Sequence, residues 1–232
     1  MTKKFTEEVN FKLDFRRNTH KGLYIALEGI DGSGKTVQSG RIADYFKGKK
    51  KITLPVAEPR RTGPIGEVIN DFLQKRIVLP PASHQFLFVA DRIAHQEDIV
   101  IPALKNGEIV ISHRNFWSAV AYGILDKQTT AKVKGESDVL MVAQSILSMY
   151  HQIMVPDITF YLKVSPKVAI KRLKKTGVEN EYYETENRLS KVMESYEWLV
   201  KRFSSEFSII DGDQDIERVT EDILSVLHHI KK

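Results

Sequence analysis

The stretch that most constrains the fold is LYIALEGIDGSGKTVQSGRIADYF, residues 23–46. An apolar segment leads into a glycine-rich loop, and a helical spacing of apolar residues follows. Within it, Gly29–Thr36 satisfies the spacing G-x-x-x-x-G-K-[ST], in which glycines let successive backbone N–H groups point at one anion. A strand, a phosphate-binding loop and a helix are therefore predicted in direct succession.

The rest of the chain alternates short apolar segments with helical patterns. Strands are predicted at 23–27, 51–57, 108–112, 157–164 and 207–210. Helices are predicted at 36–47, 64–75, 83–106 with a bend near Pro102, 117–125, 137–150, from Pro166 onward, 181–203 and from about residue 214. Because such alternation requires crossover connections, we expect an α/β, three-layer P-loop NTPase fold with a five-stranded parallel sheet flanked by helices.

This fold predicts where a ligand binds. In open parallel sheets, ligands lie beyond the carboxyl ends of the strands. The loops expected to form the site are 28–35, 58–66, 112–118, 164–184 and 211–214. We expect residues 22–232 to form one domain and the charged residues 1–21 to form an N-terminal extension.

Composition narrows the class of protein. The chain has 232 residues, a formal net charge of +5 and no cysteine, so it has no disulfide framework, thiolate metal site or cysteine nucleophile. Its apolar runs are too short to span a bilayer, and its lysines are scattered without interleaved aromatic residues. We therefore expect a cytoplasmic protein without nucleic acid or membrane as a partner, and the phosphate loop makes small-molecule nucleotides the expected partners.

The glycine-rich loop is the strongest functional signal. Lys35 adds a mobile cation for the outer phosphates, and the Thr36 hydroxyl is a candidate magnesium ligand. An ordinary strand-to-helix turn would not account for a lysine and a threonine after the last glycine. ATP and Mg²⁺ are the expected cofactors, with ATP bound through Gly29, Asp31, Gly32, Ser33, Gly34, Lys35 and Thr36.

Three further segments carry candidate ligands for an acceptor. Arg60 and Arg61 follow the second strand and suit bidentate capture of a phosphate, or form a solvated basic turn. Phe88 and Arg92 share a helix face and suit stacking on a base and hydrogen bonding to its edge, although Phe88 alone also fits a core position. Arg114 leaves the third strand at its carboxyl end and lies either beside the phosphates or on the surface.

In this order the segments resemble the thymidylate kinase family of nucleoside monophosphate kinases, over roughly residues 22–230. EGIDGSGKTVQ is similar to that family's phosphate loop, EPRRTGPIGE to its Glu-Pro loop and FLFVADR to its base-binding helix. HRNFWSAVAY resembles its Asp-Arg-Tyr region, PDITFYLKVSPKVAIKRL its fourth strand and lid entry, and IIDGDQDIERV its last strand. Single segments are weakly specific, whereas their ordered succession is a strong indication.

The resemblance implies transfer of the ATP γ-phosphoryl group to dTMP by a homodimer, giving dTDP and ADP. Catalytic roles are implied for Lys35, for Arg114 and for a cation of the lid, which covers approximately residues 171–184. Arg172 is the candidate for this cation. The other cations that the lid offers are Lys174, Lys175 and Arg188. For the acceptor, the resemblance implies that Arg61 or Arg60 binds the monophosphate and that Arg114 lies between the donor and acceptor phosphates. Asp31 would contact the sugar hydroxyl, and Tyr122 would pack under the sugar. The base would be contacted by Phe88, Arg92 and Ser118.

The chain departs from the family pattern at three places. His113 stands where the family has an aspartate near magnesium, and a neutral imidazole is a poor ligand for that cation, so Glu28 or Asp91 would have to compensate through water. Gly123 stands where part of the family has a glutamine after the Ala-Tyr pair. The phosphate loop carries no arginine, and in such members the lid supplies the cation.

Two other functions stay open. A kinase for another (deoxy)nucleotide or for a nucleoside would use the same loop, but a nucleoside acceptor needs a base such as Glu28 or Glu58 to take its hydroxyl proton. His113 favours a nucleotide-binding homologue with little kinase turnover. The arginine pair argues for a phosphorylated acceptor, and the intact Lys35–Thr36 pair argues for chemistry.

Overall fold

The strands form one main sheet and one short pair. The computed structural model describes residues 12–80, 83–130, 135–176 and 185–230. In chain order, the strands are β1 (Arg16–Arg17), β2 (Tyr24–Glu28), β3 (Thr53–Ala57), β4 (Ile109–His113), β5 (Met154–Val155), β6 (Ile158–Lys163) and β7 (Phe207–Asp211). The main sheet has the order β3-β4-β2-β6-β7 with every pair parallel. The predicted five-stranded parallel sheet is confirmed, with small shifts of the strand ends.

Strand β2 occupies the centre of the sheet, and all of its residues are buried. The run Tyr24–Glu28 is apolar until its last residue, as expected of a strand covered on both faces. β3 lies at one edge, where Pro55 can lack a backbone donor on its open side. The loop that follows β2 therefore emerges at the middle of the carboxyl edge of the sheet.

Helices cover both faces of this sheet. In chain order they are α1 (Lys35–Gly48), α2 (Gly63–Leu73), α3 (His84–His95), α4 (Ile101–Lys105), α5 (Phe116–Thr130), α6 (Glu136–Met149), α7 (Pro166–Thr176), α8 (Glu186–Arg202) and α9 (Ile216–Leu227). A π-helical turn at Gln96–Val100 joins α3 to α4, so the predicted bend near Pro102 is a local change of hydrogen bonding. α8 begins after the Thr185 cap, and the first residues of the helix predicted at 181–203 lie outside the described residues.

The core is divided between the two faces. Ile25 and Leu27 of β2 pack with Ile42 of α1 and Ile223 of α9, whereas Tyr24 packs with Leu104 of α4. Alternate residues of one strand thus serve different helical layers, as the period of two along a strand requires. A larger apolar cluster joins α5, α6 and α8. These layers hold the carboxyl edge of the sheet in place.

The described part of the expected N-terminal extension, residues 12–21, packs on the domain. β1 pairs with β5, and Arg17 binds the Glu206 carboxylate at 2.5 and 2.8 Å. The Asn18 amide donates to Asp157 at 2.7 Å and to the carbonyl oxygen of Gly22 at 2.9 Å. These contacts fix the chain just before β2 begins.

Gly22 provides a stability test. A Cβ at Gly22 would lie 2.2 Å from the carbonyl oxygen of Glu108 and 2.8 Å from Cα of Leu104, whereas a Cβ at Gly40, on the exposed side of α1, would meet nothing within 4 Å. We expect Gly22→Ala to lower the free energy of unfolding by about 1–3 kcal/mol. Gly40→Ala should raise it by about 0.5–1 kcal/mol. Urea unfolding followed by circular dichroism measures both, and a Gly22→Ala protein as stable as the parent contradicts the close approach.

Candidate active site

A cavity of about 890 Å³ lies at the carboxyl edge of the sheet. All five segments that the fold predicted as ligand loops contribute to its lining: Lys35 from the first, Arg61 from the second, Arg114 from the third, Arg172 from the fourth and Gln214 from the fifth. The volume is in the range of small-molecule sites. The cavity thus lies where the topology predicted a ligand site.

The phosphate loop joins β2 to α1 through glycines with left-handed backbone angles. Gly32 has φ of 80° and Gly34 has φ of 94°. A Cβ on Gly32 would lie 2.4 Å from the carbonyl oxygen of Ala169 on α7, whereas a Cβ on Gly34 would meet nothing within 4 Å. Gly34 is also the residue that caps α1. The first turn of α1 therefore presents its N–H groups and positive dipole end to the cavity.

Lys35 is buried beneath this loop. Its Nζ donates to the carbonyl oxygens of Gly29 at 3.0 Å and Ile30 at 2.7 Å, and to the Ser33 hydroxyl at 3.2 Å. Burial, together with the positive charge of Arg114, lowers the pKa of the Lys35 ammonium to about 7. A phosphate in the loop would favour the charged form and raise this pKa again.

Arg114 lies at the centre of a charged cluster. It has φ of 72°, and its Nη2 donates to the Asp31 carboxylate at 2.5 Å and to the Tyr122 hydroxyl at 2.9 Å. Tyr122 donates in turn to the other Asp31 oxygen at 2.8 Å. Burial alone would raise the pKa of the Asp31 carboxyl, but the charges of Arg114 and Lys35 hold it well below its usual range. The three side chains are thereby fixed between the phosphate loop and α5.

Glu28 organises the start of α5. One carboxylate oxygen accepts from the backbone N–H of Asn115 at 2.8 Å and of Ser118 at 3.1 Å, and the other accepts from the hydroxyls of Ser118 and Tyr196. Burial raises the pKa of this carboxyl. Glu28 does not line the cavity. Its oxygens are engaged within the protein, so the geometry gives Glu28 a structural role at the start of α5. A role as a base or as a water-bridged magnesium partner stays a prediction.

Ser118 lines the cavity, but its hydroxyl is engaged within the protein. It donates to Glu28, accepts from Nη1 of Arg114 at 3.0 Å and lies 2.8 Å from the Tyr196 hydroxyl. The geometry therefore gives Ser118 a positioning role for Arg114. The base contact implied by the resemblance stays a prediction.

Phe88 and Arg92 both line the cavity from α3, as their spacing predicted. Arg92 Nε donates to the buried Glu58 carboxylate at 2.8 Å, and its Nη1 donates to the Tyr150 hydroxyl at 3.1 Å. Glu58 also lies 3.1 Å from Nδ1 of His95. Because Nε and Nη1 are held in this way, the guanidinium of this cavity-lining residue has a fixed orientation.

The two adjacent arginines behave differently. Arg60 donates from its backbone N–H and from Nε to the fully buried Asp91 carboxylate, both at 2.9 Å, and does not line the cavity. Arg61 does line it, and its Nη1 lies 3.4 Å from the Asn70 side chain. Arg60 is therefore engaged by Asp91 outside the lining of the cavity, and its phosphate contact, like a water-bridged magnesium role for Asp91, stays a prediction.

His113 ends β4 and lines the cavity. Burial, together with the positive charges of Lys35 and Arg114, lowers its pKa to about 3. The imidazole is therefore neutral at physiological pH. It adds neither a negative charge nor an oxygen ligand to the phosphate end of the cavity.

The cations expected in the lid separate into two groups. Arg172 and Lys175 on α7 line the cavity, and Nη2 of Arg172 donates to the carbonyl oxygen of Gln214 at 3.2 Å. Arg188 lies 3.9 Å from the Asp126 carboxylate and is not part of the lining, and neither is Lys174. The predicted lid at 171–184 is described only to residue 176, where α7 ends.

Some residues of the site escaped the sequence analysis. The Tyr150 hydroxyl accepts a hydrogen bond from Arg92, and the Tyr196 hydroxyl donates one to Glu28. Both tyrosines are distant in sequence from their partners, and no local sequence pattern predicts these contacts. Gln85 and Gln214 line the cavity and were not predicted. Gln85 was recoverable, because it precedes Phe88 by three residues and so shares its helix face.

Two features are missing from the described residues. No helix among them has the length and apolar character needed to cross a membrane. They also contain no group of three or more His, Asp or Glu side chains arranged to hold a metal ion.

The fold and the site together define a class of protein. A phosphate loop at the end of the central strand opens into a cavity whose other wall carries Arg61, Phe88 and Arg92, with Arg114 between the two. This arrangement offers one position for a nucleoside triphosphate and another for a second phosphorylated, base-containing molecule. It is the architecture of a P-loop nucleoside monophosphate kinase.

Comparisons with known proteins identify the family within this class. The family model described as thymidylate kinase matches residues 27–223. The thymidylate kinase of Thermoanaerobacter sp. (strain X514) is 33% identical over 208 residues, which are 89% of this chain and 98% of that protein. The thymidylate kinase of Thermosipho africanus (strain TCF52B) is 33% identical over 206 residues, which are 88% and 97% of the two chains. The chain belongs to the thymidylate kinase family.

A solved structure supports the fold. The thymidylate kinase from Candida albicans superposes with a TM-score of 0.76 at 23% sequence identity, covering 91% of this chain and 93% of that one. At this level of identity the likeness supports the architecture of the sheet and helices. It leaves the role of each side chain to be argued from this chain's own geometry.

The pKa of Lys35 provides a test of the loop. At pH 8 the lysine is largely neutral in the free protein, and bound ATP should restore its charge, so binding should take up about one proton. Affinity for ATP should accordingly fall as the pH rises above 7. Titration calorimetry at pH 8 in buffers of different ionisation enthalpy measures this uptake. The matched control is Lys35→Arg, whose guanidinium stays charged; equal uptake by both proteins contradicts the assignment.

Proposed function

We propose that the protein transfers the γ-phosphoryl group of ATP to dTMP, giving dTDP and ADP. The observation that carries this proposal is one continuous cavity that joins the phosphate loop to the wall formed by Arg61, Phe88 and Arg92. The family membership and the relatives named thymidylate kinase support dTMP as the acceptor. The donor and acceptor halves of the cavity make separate contributions.

On the donor side, the phosphates of ATP occupy the loop. The backbone N–H groups of Gly32–Lys35 and the first turn of α1 supply fixed positive potential, and Lys35 supplies a full charge. Gln214 and Ile216 line the cavity beside α1, where Gln38 donates to the carbonyl oxygen of Ile216 at 3.0 Å. This part of the lining suits the nucleoside end of ATP.

The residues present fit a magnesium ion that is bound mainly by the nucleotide. Mg²⁺ commonly keeps several waters and takes one or two protein oxygens plus phosphate oxygens. Thr36 offers an exposed hydroxyl in the first turn of α1. His113, with its pKa of about 3, is a neutral nitrogen donor and suits this cation poorly. Thr36 is therefore the proposed protein ligand, and the bound ion would neutralise charge on the phosphates.

On the acceptor side, the base stacks on Phe88 and receives a hydrogen bond from Nη2 of Arg92. Arg61, which is exposed and lines the cavity, binds the monophosphate. Tyr122 and Asp31 stand beside the sugar, held together at 2.8 Å. These roles follow the positions of the side chains around the cavity and agree with those implied by the resemblance.

Transfer requires alignment and charge neutralisation more than proton removal, because the acceptor phosphate is already ionised. Arg114 lies between the two halves of the cavity and is the proposed bridge between donor and acceptor phosphates. Arg172 is the proposed lid cation that stabilises charge in the transition state, with Lys175 beside it. Closure of the segment 171–184 would exclude water from this reaction.

A nucleoside acceptor fits the cavity less well. Such an acceptor needs a base, and Asp31 and Glu58 are the acidic side chains that line the cavity in the described part of the chain. Asp31 is paired with Arg114 and Tyr122, and Glu58 is paired with Arg92 and His95. Both carboxylates are committed to holding the site together. Kinase activity on another (deoxy)nucleotide remains compatible with the same contacts.

A nucleotide-binding homologue with little turnover is the second candidate. The observation that favours it is His113, which leaves the phosphate end of the cavity without an additional carboxylate. Against it stand Lys35, Arg114 and Arg172, three cations around the loop that simple binding of ATP would not require. The two candidates differ in whether ADP forms.

Assembly and location complete the proposal. Phe86 on α3 and Met141 on α6 are exposed, at 66% and 61%, on helices that contact each other. Exposed apolar side chains on neighbouring helices suit a contact between two copies. We retain the homodimer and the cytoplasmic location as predictions.

A coupled assay of ADP release tests the function. With ATP, Mg²⁺ and each of the common ribo- and deoxyribonucleoside monophosphates and thymidine, we expect dTMP to give the highest kcat/KM. Faster turnover of thymidine would move the protein to the nucleoside kinases. ATP binding without ADP formation on any acceptor would favour the second candidate.

Arg61 and Arg60 form a matched pair for the acceptor site. Arg61→Ala should raise the KM for dTMP by about 10- to 100-fold and leave the KM for ATP nearly unchanged, because a charge-assisted contact to the acceptor phosphate is lost. Arg60→Ala should instead lower the free energy of unfolding by about 2–3 kcal/mol, because Asp91 is left buried without its partner. Steady-state kinetics and urea unfolding measure the two effects. A normal KM for dTMP in Arg61→Ala would reject the assignment.

A further inference from the structure

Gln85 is a polar residue of the cavity lining that the proposed phosphoryl transfer does not use. Gln85 lies on α3 with Phe88 and Arg92, at positions i, i+3 and i+7, and all three line the cavity. Phe88 is between the other two along the helix. A base stacked on Phe88 would therefore have a polar side chain of α3 on either side of Phe88, and both could bond to neighbouring atoms on one edge of the ring.

The amide of Gln85 is held on one side only. Its Nε2 donates to the carbonyl oxygen of Ala119 on α5 at 3.3 Å. Its Oε1 is buried and accepts no hydrogen bond from any described residue. A buried acceptor without a donor is costly, and such groups in native proteins commonly mark a place where a ligand binds. The bond to Ala119 fixes which end of the amide is the acceptor.

Gly123 explains how Gln85 comes to occupy this place. A Cβ at position 123 would lie 2.7 Å from Nε2 of Gln85 and 2.3 Å from Cδ1 of Ile146. Any side chain on α5 at this position would compete with Gln85 for the same space. Because the residue is glycine, an amide from α3 fills the space between the two helices instead.

We propose that Gln85 is the residue that determines base specificity, by accepting a hydrogen bond from the N3–H of the acceptor pyrimidine. This inference rests on the proposed function. The thymine ring carries a donor at N3 beside a carbonyl, which matches the Gln85 acceptor and the Arg92 donors. Cytosine has an acceptor at N3, so its ring nitrogen would face Gln85 Oε1 with no proton between them. The pair therefore favours thymine, or a uracil ring with the same edge, over cytosine.

The test compares dTMP with dCMP as acceptors for the parent protein and for Gln85→Met, which keeps the length of the side chain and removes the amide. The dTMP over dCMP ratio of kcat/KM should fall by about tenfold in the variant, since one hydrogen bond is lost with dTMP and none with dCMP. The KM for ATP should not change. Ala90→Met, on the exposed side of α3, is the matched control and should keep the parent ratio.

A double variant separates specificity from folding. Gln85→Ala/Gly123→Gln moves the amide from α3 to α5, into the space that Gln85 vacates. The new Cβ requires the end of the Ile146 side chain to shift. We expect this protein to recover most of the dTMP preference that Gln85→Ala alone loses. If Gln85→Met proves unstable in thermal unfolding, this comparison decides: recovery supports the proposal, and a ratio as low as that of Gln85→Ala overturns it.

The outcomes for the two proposals are distinct. A parent protein that uses dCMP as well as dTMP overturns the proposed function, and the inference with it. A parent that prefers dTMP, combined with a folded Gln85→Met protein of unchanged preference, overturns the inference alone and leaves the proposed function standing. Such a result would assign Oε1 of Gln85 to bound water.

Discussion

Lys35 and Arg114 are two cations buried at the same edge of the sheet, and the Asp31 carboxylate lies bonded to only one of them. Asp31 binds Arg114, whereas Lys35 is held by carbonyl and hydroxyl oxygens that carry no charge. Burial of the Lys35 ammonium and its repulsion by Arg114 together lower the pKa of Lys35. The Lys35 ammonium thus has no carboxylate of the described residues bonded to it in the free protein. A phosphate bound in the loop would supply the counter-charge that favours its charged form.

Two buried carboxylates, those of Glu28 and Glu58, connect the sheet to the helices that form the other walls of the cavity. Glu28, the last residue of β2, receives the first N–H groups of α5, and Glu58, just after β3, receives Arg92 from α3. Each carboxylate therefore couples a strand end to the helix that forms a cavity wall. A buried carboxylate with several donors is stable only in one geometry, because each lost donor leaves charge unpaired. The cavity walls formed by α3 and α5 are consequently held in fixed positions relative to the sheet.

Much of this was predictable from the sequence, because the deciding features are local. The period of apolar residues located the five strands, the glycine spacing located the loop, and parallel topology brought distant loops to one edge. Long-range pairing was not predictable. Arg60 and Arg61 are equivalent in sequence, and only Asp91, which is 31 residues from Arg60, distinguishes them. The sequence near Glu28 suggests a candidate base, because the Tyr196 hydroxyl that donates to its carboxylate is 168 residues away, on α8. Side-chain roles therefore depended on partners that no local pattern reveals.

Recognition of the base shows why residues on facing helices must be considered together. α3 and α5 enclose a volume that one amide can fill from either side, and Gly123 on α5 leaves that volume to Gln85 on α3. A glycine at position 123 taken alone suggests a lost contact. With Gln85 in view, it is the condition that allows the contact to be made from the other helix. Base recognition of the proposed kind requires a hydrogen-bond acceptor at one place in the cavity. The packing of α3 against α5 decides whether position 85 or position 123 supplies it.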